Sequence, residues 1–223
     1  PDREIILYNR AFYEDRLSVF PDKGAFAGAV NSLRQKEEEI KERLNKMVEK
    51  EYEQIDKEFW QQLIEKELKN IRVFDEEIER KARAEKAMVL NKLFSFRFSI
   101  LTGRAGTGKT TVLKVFIRGL EEKEGKQPVI LLAPTGKARV RLQEITKKEA
   151  QTIHQSLMKL GWIREETFSL KEGGGSKRES PTVIVDEASM IPADLLATLF
   201  RAVDFNGVKR LILVGDPNQL PPI

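Results

Sequence analysis

Residues 98–110 read Phe-Ser-Ile-Leu-Thr-Gly-Arg-Ala-Gly-Thr-Gly-Lys-Thr, and this stretch decides the fold. Its first part, residues 98–101, is a short run typical of a buried strand. Residues 103–110 then fit the pattern Gly-x-x-x-x-Gly-Lys-Ser/Thr, with a predicted helix after them. Glycines let backbone N–H groups surround a phosphate without Cβ clashes, and the helix points its positive end at the same place. The stretch therefore predicts a strand, a phosphate-binding loop and a helix.

The polar residues of this loop suit a nucleoside triphosphate with Mg²⁺ as its metal ion. Lys109 can reach the β- and γ-phosphates, and the hydroxyl group of Thr110 can ligate Mg²⁺. The predicted nucleotide-binding residues are Gly103, Gly106, Thr107, Gly108, Lys109, Thr110 and Thr111.

Three further apolar runs follow along the chain, at residues 129–132, 182–185 and 211–214. Continuous apolar strands that alternate with helical stretches predict an α/β fold, with a parallel sheet covered by helices on both faces. Each run ends in a polar turn that contains Gly or Pro or carries charge. Because ligands of open α/β sheets bind at the carboxyl ends of the strands, these turns are the candidate site.

Two of these turns carry predicted catalytic groups. Asp186 and Glu187 follow the third run, where Asp186 is suited to hold Mg²⁺ and Glu187 to orient or deprotonate the attacking water. Gln219 follows the fourth run and can contact a γ-phosphate or that water. The predicted catalytic residues are thus Lys109, Glu187 and Gln219, and the predicted metal ligands are Thr110 and Asp186.

Two other segments predict contacts with nucleic acid. Residues 134–139 offer a hydroxyl group, free backbone amides and two cations at a helix start, which suits a nucleic-acid phosphate. Residues 92–223 also carry 21 Lys and Arg against 14 Asp and Glu, so this half is the likelier one to meet a polyanion. The predicted contact residues are Thr135, Lys137, Arg139, Thr152 and His154.

Residues 1–91 predict a helical extension that precedes a nucleotide-binding domain at 92–223. Residues 33–90 contain neither Pro nor Gly, and their apolar positions recur at helical spacing, with a break predicted near Asn70. A short amphipathic helix is predicted before Pro21. The extension is interpreted as an appendage packed on the neighbouring domain, with a partner-binding arm as the alternative. Residues 161–180 are interpreted as a loop, with a small hairpin that acts on duplex DNA as the alternative.

Composition excludes several classes of function. The chain has no cysteine and one histidine, which excludes disulfides, a thiolate nucleophile and a multi-histidine metal site. No apolar run approaches the roughly 18 residues of a membrane span, so we expect a soluble, cytoplasmic protein without a membrane partner. Neither end resembles a natural terminus, which predicts a fragment of a longer protein.

Taken in order, these segments resemble the RecD-like branch of superfamily 1 helicases over about residues 85–223. Residues 103–111 resemble motif I of that family, 133–139 motif Ia, 186–190 motif II and 215–222 motif III, and residues 152–154 are similar to its Thr-Ile-His segment. The resemblance implies a RecA-like motor domain that hydrolyses Mg·ATP and binds single-stranded DNA, usually with 5′→3′ movement. It also implies a second RecA-like domain, which this chain lacks. One departure is Lys86, which stands where the family usually has a glutamine that reads adenine.

Three other interpretations remain open at this point. One is a PhoH-like or other P-loop NTPase that acts on RNA, which would share the phosphate loop and the turn after the last strand. Another is a coiled-coil ATPase, suggested by a helical segment before the loop. The third is a protein-interaction module built on residues 23–90.

Overall fold

A computed structural model of the chain describes residues 6–8, 27–48, 51–68, 76–104, 106–164, 167, 169–171, 174–177 and 180–216. The elements are β1 (Ile6–Tyr8), α1 (Ala27–Val48), α2 (Lys57–Leu68), α3 (Glu76–Ser95), β2 (Phe98–Thr102), α4 (Lys109–Glu124), β3 (Val129–Ala133), α5 (Gly136–Thr146), β4 (Ala150–Thr152), α6 (Ile153–Lys159), β5 (Thr182–Val185), a 3₁₀ helix (Ala188–Met190), α7 (Ala193–Ala202) and β6 (Arg210–Gly215). None of the helices in these ranges combines the length and the apolar character needed to cross a bilayer.

The strands form one sheet in the order β1-β2-β6-β5-β3-β4. β1 is antiparallel to β2, and the other neighbours are parallel. The carboxyl ends of β2 to β6 therefore lie along one edge of the sheet. The predicted parallel sheet, with all four of its predicted strands, is confirmed.

Alternate residues of the central strands pack on opposite faces of the sheet. Ile184 belongs to a core shared with α2, α3, α4 and α5, whereas Val183 and Val185 belong to a core shared with α1, α6 and α7. This alternation follows from the pleat of a strand, and it requires apolar residues at every position. The predicted helices on both faces are likewise confirmed.

The helical extension is part of both cores. Ile40, Leu44 and Met47 of α1 pack in one core, and Trp60 and Leu63 of α2 pack in the other. The interpretation as a packed appendage is therefore the correct one for these helices. The predicted boundary between residues 91 and 92 falls inside α3, and the division into two domains remains a prediction.

Two details of the extension differ from prediction. Residues 6–8 form a strand beside β2 and not part of a helix, and most of the predicted short helix lies outside the described residues. The predicted break near Asn70 also lies outside them, but a further interruption separates α1 from α2. There the amide of Tyr52 donates to the Ser95 carbonyl at 2.6 Å, and the amide of Ile55 donates to Asn91 Oδ1 at 3.0 Å. These long-range bonds replace helical ones, which the local sequence does not indicate.

Residues 162–164 and 169–171 form an antiparallel stem, so the preferred loop interpretation is wrong for these residues. Ile163 and Leu170 form an antiparallel bridge, and the Lys171 amide donates to the Trp162 carbonyl at 2.8 Å. The buried Trp162 ring anchors this stem, because its Nε1 donates to the Ser176 carbonyl at 2.7 Å.

Candidate nucleotide-binding site

The loop between β2 and α4 presents backbone donors in a concave turn. Gly106 and Gly108 adopt φ angles of 79° and 86°, which other residues rarely adopt. No side chain caps α4 within the described residues, and the first intrahelical bond runs from the Val112 amide to the Gly108 carbonyl at 3.0 Å. The amides of residues 109–111 thus have no acceptor within the helix. This set of donors fits a phosphate group.

Lys109 lies at the centre of this loop and is only 8% exposed. Its Nζ donates to the Gly103 carbonyl at 2.5 Å and to the Arg104 carbonyl at 3.1 Å. Thr107 Oγ1 donates to the same Arg104 carbonyl at 2.9 Å. Two of the three N–H donors of the buried ammonium group are therefore bonded to the carbonyls of its own loop.

Asp186 follows β5 directly and is 6% exposed. Its amide donates to the Leu132 carbonyl at 2.8 Å, and its Oδ1 accepts from the Glu187 amide at 3.0 Å. Burial raises the pKa of Asp186 to about 6, and the charge of Glu187 acts in the same direction. The bond from the Glu187 amide and the charges of Lys109 and Arg141 oppose that rise in pKa. Glu187 itself adopts a φ of 51°, a strained backbone of the kind found at functional sites.

Thr110 and Asp186 offer oxygen atoms of the kind that Mg²⁺ takes as ligands. Thr110 is 9% exposed at the start of α4, and Asp186 lies within electrostatic range of the neighbouring Lys109. The described residues contain no group of three or more His, Cys, Asp or Glu side chains that could hold a metal alone. A hydroxyl group and one carboxylate suit Mg²⁺, which usually takes one or two carboxylates together with substrate phosphates.

The predicted nucleic-acid residues lie at the ends of the neighbouring strands β3 and β4. Thr135 caps α5, since its Oγ1 accepts from the Ala138 amide at 3.2 Å. Thr152 caps α6 in a capping box with Gln155, in which its Oγ1 accepts from the Gln155 amide at 3.1 Å. These capping roles were missed, although Thr152 and Gln155 have the three-residue spacing that signals a capping box.

The three other predicted contacts differ in exposure. Lys137 and His154 are exposed, and the half-buried Arg139 donates to Gln143 Oε1 at 3.3 Å. All five residues lie at or after the carboxyl ends of β3 and β4. Asp186 follows the carboxyl end of β5 at the same edge of the sheet, because β3 pairs in parallel with both β4 and β5.

The predicted catalytic Gln219 lies outside the described residues. Just before it, the Asp216 amide donates to Ser189 Oγ at 3.4 Å, which joins the end of β6 to the 3₁₀ helix after Asp186. Sequence reasoning missed this role of Ser189.

Two other residues singled out from the sequence lie away from these contacts. Thr111, a predicted nucleotide-binding residue, is half-buried in the first turn of α4. Lys86, at the position of the adenine-reading glutamine, is half-buried on α3.

Comparison with known proteins agrees with this arrangement. Residues 85–223 match a family of AAA domains, AAA_19. An uncharacterized protein of Methanocaldococcus jannaschii is 35% identical over 165 residues, which is 68% of this chain and 13% of that protein. The ATP-dependent RecD2 DNA helicase of Deinococcus radiodurans is 39% identical over 139 residues, 62% of this chain and 18% of that protein.

The RecBCD enzyme subunit RecD of Mycolicibacterium smegmatis is 33% identical over 146 residues, 56% of this chain and 26% of that protein. The matched segments thus cover 13% to 26% of the length of these three relatives. The family match covers more than half of the chain and includes the loop, the carboxylates and both capped helices. The predicted resemblance to RecD-like superfamily 1 helicases is confirmed by these relatives, and the chain belongs to the AAA_19 family of AAA domains.

Proposed function

We propose that the chain is a motor domain of a DNA helicase, which binds and hydrolyses Mg·ATP and contacts single-stranded DNA. One observation carries this proposal: the glycine loop after β2, the carboxylates after β5 and the helix starts after β3 and β4 share one edge of one sheet. A helicase couples ATP hydrolysis to movement on DNA, so its nucleotide site and its DNA site must be energetically coupled. Two sites on one edge of one sheet are placed for such coupling.

The nucleotide is held mainly by α4. The amides of residues 109–111 and the Lys109 ammonium group, which also donates to the carbonyls of Gly103 and Arg104, bind the phosphates. Thr110 and Asp186 would hold Mg²⁺, which neutralises charge on the phosphates. Glu187 orients the attacking water or accepts its proton, and Gln219 contacts the γ-phosphate or that water.

Single-stranded DNA is held at the starts of α5 and α6. Lys137, Arg139 and His154 contact phosphates or bases, with Lys137 and Arg139 as the cations. The hydroxyl oxygens of Thr135 and Thr152 accept bonds from the backbone, so their hydrogens stay available to donate to a phosphate oxygen. Movement in the 5′→3′ direction is part of the proposal for the full-length protein.

A second RecA-like domain completes the motor. In related phosphoryl-transfer enzymes an arginine finger increases the rate about 10³- to 10⁵-fold. If this second domain supplies such a group, residues 1–223 alone bind Mg·ATP, turn it over slowly and do not unwind DNA.

The test is ATP binding and turnover by this chain, with and without single-stranded DNA, for the wild type and Lys109→Ala. Lys126→Ala serves as a control, since it removes an exposed lysine beyond the other end of α4. Binding that is lost only in Lys109→Ala, together with slow turnover, supports the proposal. Brisk turnover that does not respond to DNA contradicts it and favours a self-contained NTPase.

A further inference from the structure

Gly215, the last residue of β6, lies where two parts of the proposed nucleotide site meet. β6 is placed between β2, which leads into the phosphate loop, and β5, which ends just before Asp186. On one side, the Gly103 amide at the start of the loop donates to the Gly215 carbonyl at 3.3 Å. On the other side, Gly215 packs against Ser189 of the 3₁₀ helix, which follows Glu187. One buried residue is therefore in contact with both segments.

The contact between Gly215 and Ser189 depends on the absence of a side chain at residue 215. A Cβ there would lie 3.3 Å from the Ser189 amide nitrogen and 3.4 Å from its Oγ. Such distances are shorter than an ordinary van der Waals contact, so an alanine would displace the 3₁₀ helix by a few tenths of an ångström. A glycine inside a strand often marks this kind of close approach by another backbone.

A hydrogen bond adds to this contact. The amide of Asp216, a residue only 5% exposed, donates to Ser189 Oγ at 3.4 Å. The bond joins the end of β6 to the turn that carries Glu187. Ser189 thus contacts two successive residues of β6 and the segment after it, through both its backbone and its hydroxyl group.

The turn that Ser189 holds begins with a strained residue. Glu187 adopts a φ of 51°, and its carbonyl accepts from the Met190 amide at 3.0 Å to close the 3₁₀ helix. A strained backbone persists only where the surrounding structure holds it. Because Ser189 lies inside this short helix, its contacts with β6 supply part of that support.

We propose that Ser189 is a positioning residue, which through residues 215 and 216 fixes Glu187 relative to the phosphate loop. The inference rests on the proposed function, in which Glu187 orients the attacking water or accepts its proton. A displacement of about 1 Å can cost about 100-fold in rate, so a side chain that holds this turn affects hydrolysis. The phosphates are bound by the loop and α4, so the same side chain affects nucleotide affinity much less.

The first test compares hydrolysis with binding in the wild type, Ser189→Ala and Ser189→Thr. Single-turnover hydrolysis of Mg·ATP by an excess of protein should slow by about 10- to 100-fold in Ser189→Ala. The affinity for a fluorescent non-hydrolysable ATP analogue with Mg²⁺ should change by less than about 3-fold. Ser189→Thr keeps the hydroxyl group and should recover most of the rate. Ser99→Ala is the matched control, because the buried Ser99 Oγ of β2 has no hydrogen-bond partner in the described part of the chain.

Gly215→Ala tests the other side of the same contact. We expect it to slow hydrolysis as well, since its Cβ would move the turn that carries Glu187. A chain with both Gly215→Ala and Ser189→Ala should be no slower than the slower single variant, because both changes disrupt one contact. Losses that multiply in the double variant would contradict this reasoning.

Hydrogen exchange in the nucleotide-free protein tests the contact without hydrolysis. The amides of Met190 and Ile191 close the 3₁₀ helix, and the amide of Asp216 donates to the Ser189 hydroxyl group. In Ser189→Ala these amides should exchange several-fold faster than in the wild type, whereas those of α4 should not change. Ser189→Thr should restore the slow exchange.

Two results would overturn the inference. One is unchanged exchange at residues 190, 191 and 216 in Ser189→Ala. The other is a rate of hydrolysis that does not fall, or that falls only in proportion to nucleotide affinity. A failure of the proposed function is distinguishable, since the wild type itself would then bind no Mg·ATP. In that case faster exchange in Ser189→Ala would still support its role in holding the turn.

Discussion

Replacement of Asp186 by asparagine should stabilise the nucleotide-free protein at neutral pH, although it removes a proposed metal ligand. Asp186 is 6% exposed, and burial raises its pKa from 3.8 to about 6. One pKa unit corresponds to about 1.4 kcal/mol, so the ionised carboxylate costs the native state at most about 3 kcal/mol at pH 8. Asparagine has no charge to desolvate and keeps the oxygen that accepts from the Glu187 amide at 3.0 Å. We expect a gain of about 1–3 kcal/mol in the free energy of unfolding.

The gain in the free energy of unfolding of Asp186→Asn over the wild type should increase with pH. Between about pH 4 and pH 6 the native Asp186 still holds its proton while the unfolded chain has released it. The free energy of unfolding contributed by this group therefore falls as pH rises through this window, and is constant above it. Asp186→Asn lacks this dependence, so its advantage over the wild type should be largest above pH 6 and shrink toward pH 4.

Thermal unfolding in EDTA at pH 5 and pH 8 measures the effect. The Tm of a domain of this size shifts by roughly 2–4 °C per kcal/mol, so the difference in Tm at pH 8 should be about 2–12 °C. Asp204→Asn controls for the loss of one carboxylate away from the loop. A variant that is no more stable than the wild type at pH 8, or whose advantage does not shrink at pH 5, would refute the reasoning. Addition of Mg·ATP should then stabilise the wild type more than Asp186→Asn.

Three further substitutions test the packing that supports the site. Glu124→Ala should lower the free energy of unfolding by about 3–5 kcal/mol in urea titrations, because it leaves the fully buried Arg210 without the carboxylate that lies 2.8 Å away. Gly119→Ala should cost about 1–3 kcal/mol, since a Cβ there would overlap the ring of Trp60, and Trp60→Phe in the same chain should recover part of the loss. Thr152→Ala should cost about 1 kcal/mol by removing the cap of α6, measured by the same titration.

Each of these predictions can fail in its own way. Glu122→Ala is the control for Glu124→Ala, because Glu122 forms an ion pair with Arg118 on the same helix, where both side chains are partly exposed. An equal loss in the free energy of unfolding for Glu122→Ala and Glu124→Ala would contradict a special role of the Glu124–Arg210 ion pair. An unchanged unfolding midpoint for Gly119→Ala would show that α2 can shift away from α4. A loss confined to DNA affinity in Thr152→Ala would contradict the capping role.

The phosphate loop could be predicted from sequence because its interactions are local. Lys109 contacts the carbonyls of Gly103 and Arg104, and the glycines at 106 and 108 set the turn within a few residues. The apolar strands were visible because a strand covered on both faces needs apolar residues at every position. Asp186 could be found from the sequence because it is the first charged residue after such an apolar strand.

Other features could not be predicted, because they depend on contacts between distant parts of the chain. The interruption between α1 and α2 follows from bonds of Tyr52 and Ile55 to α3, about 40 residues away. The strand order places β6 between β2 and β5, which no local pattern indicates.

The amino-acid sequence by itself determined the phosphate loop, the apolar strands and the carboxylates that end them, since each is specified by residues next to one another. Only the tertiary structure decided which of these lie together, through the pairing of β3 with β5 and the packing of α5 on α4. It also decided that the helical extension belongs to both cores. The physical reason is that helical spacing reveals that a face is buried, whereas the partner of that face is chosen by the packing of the whole chain.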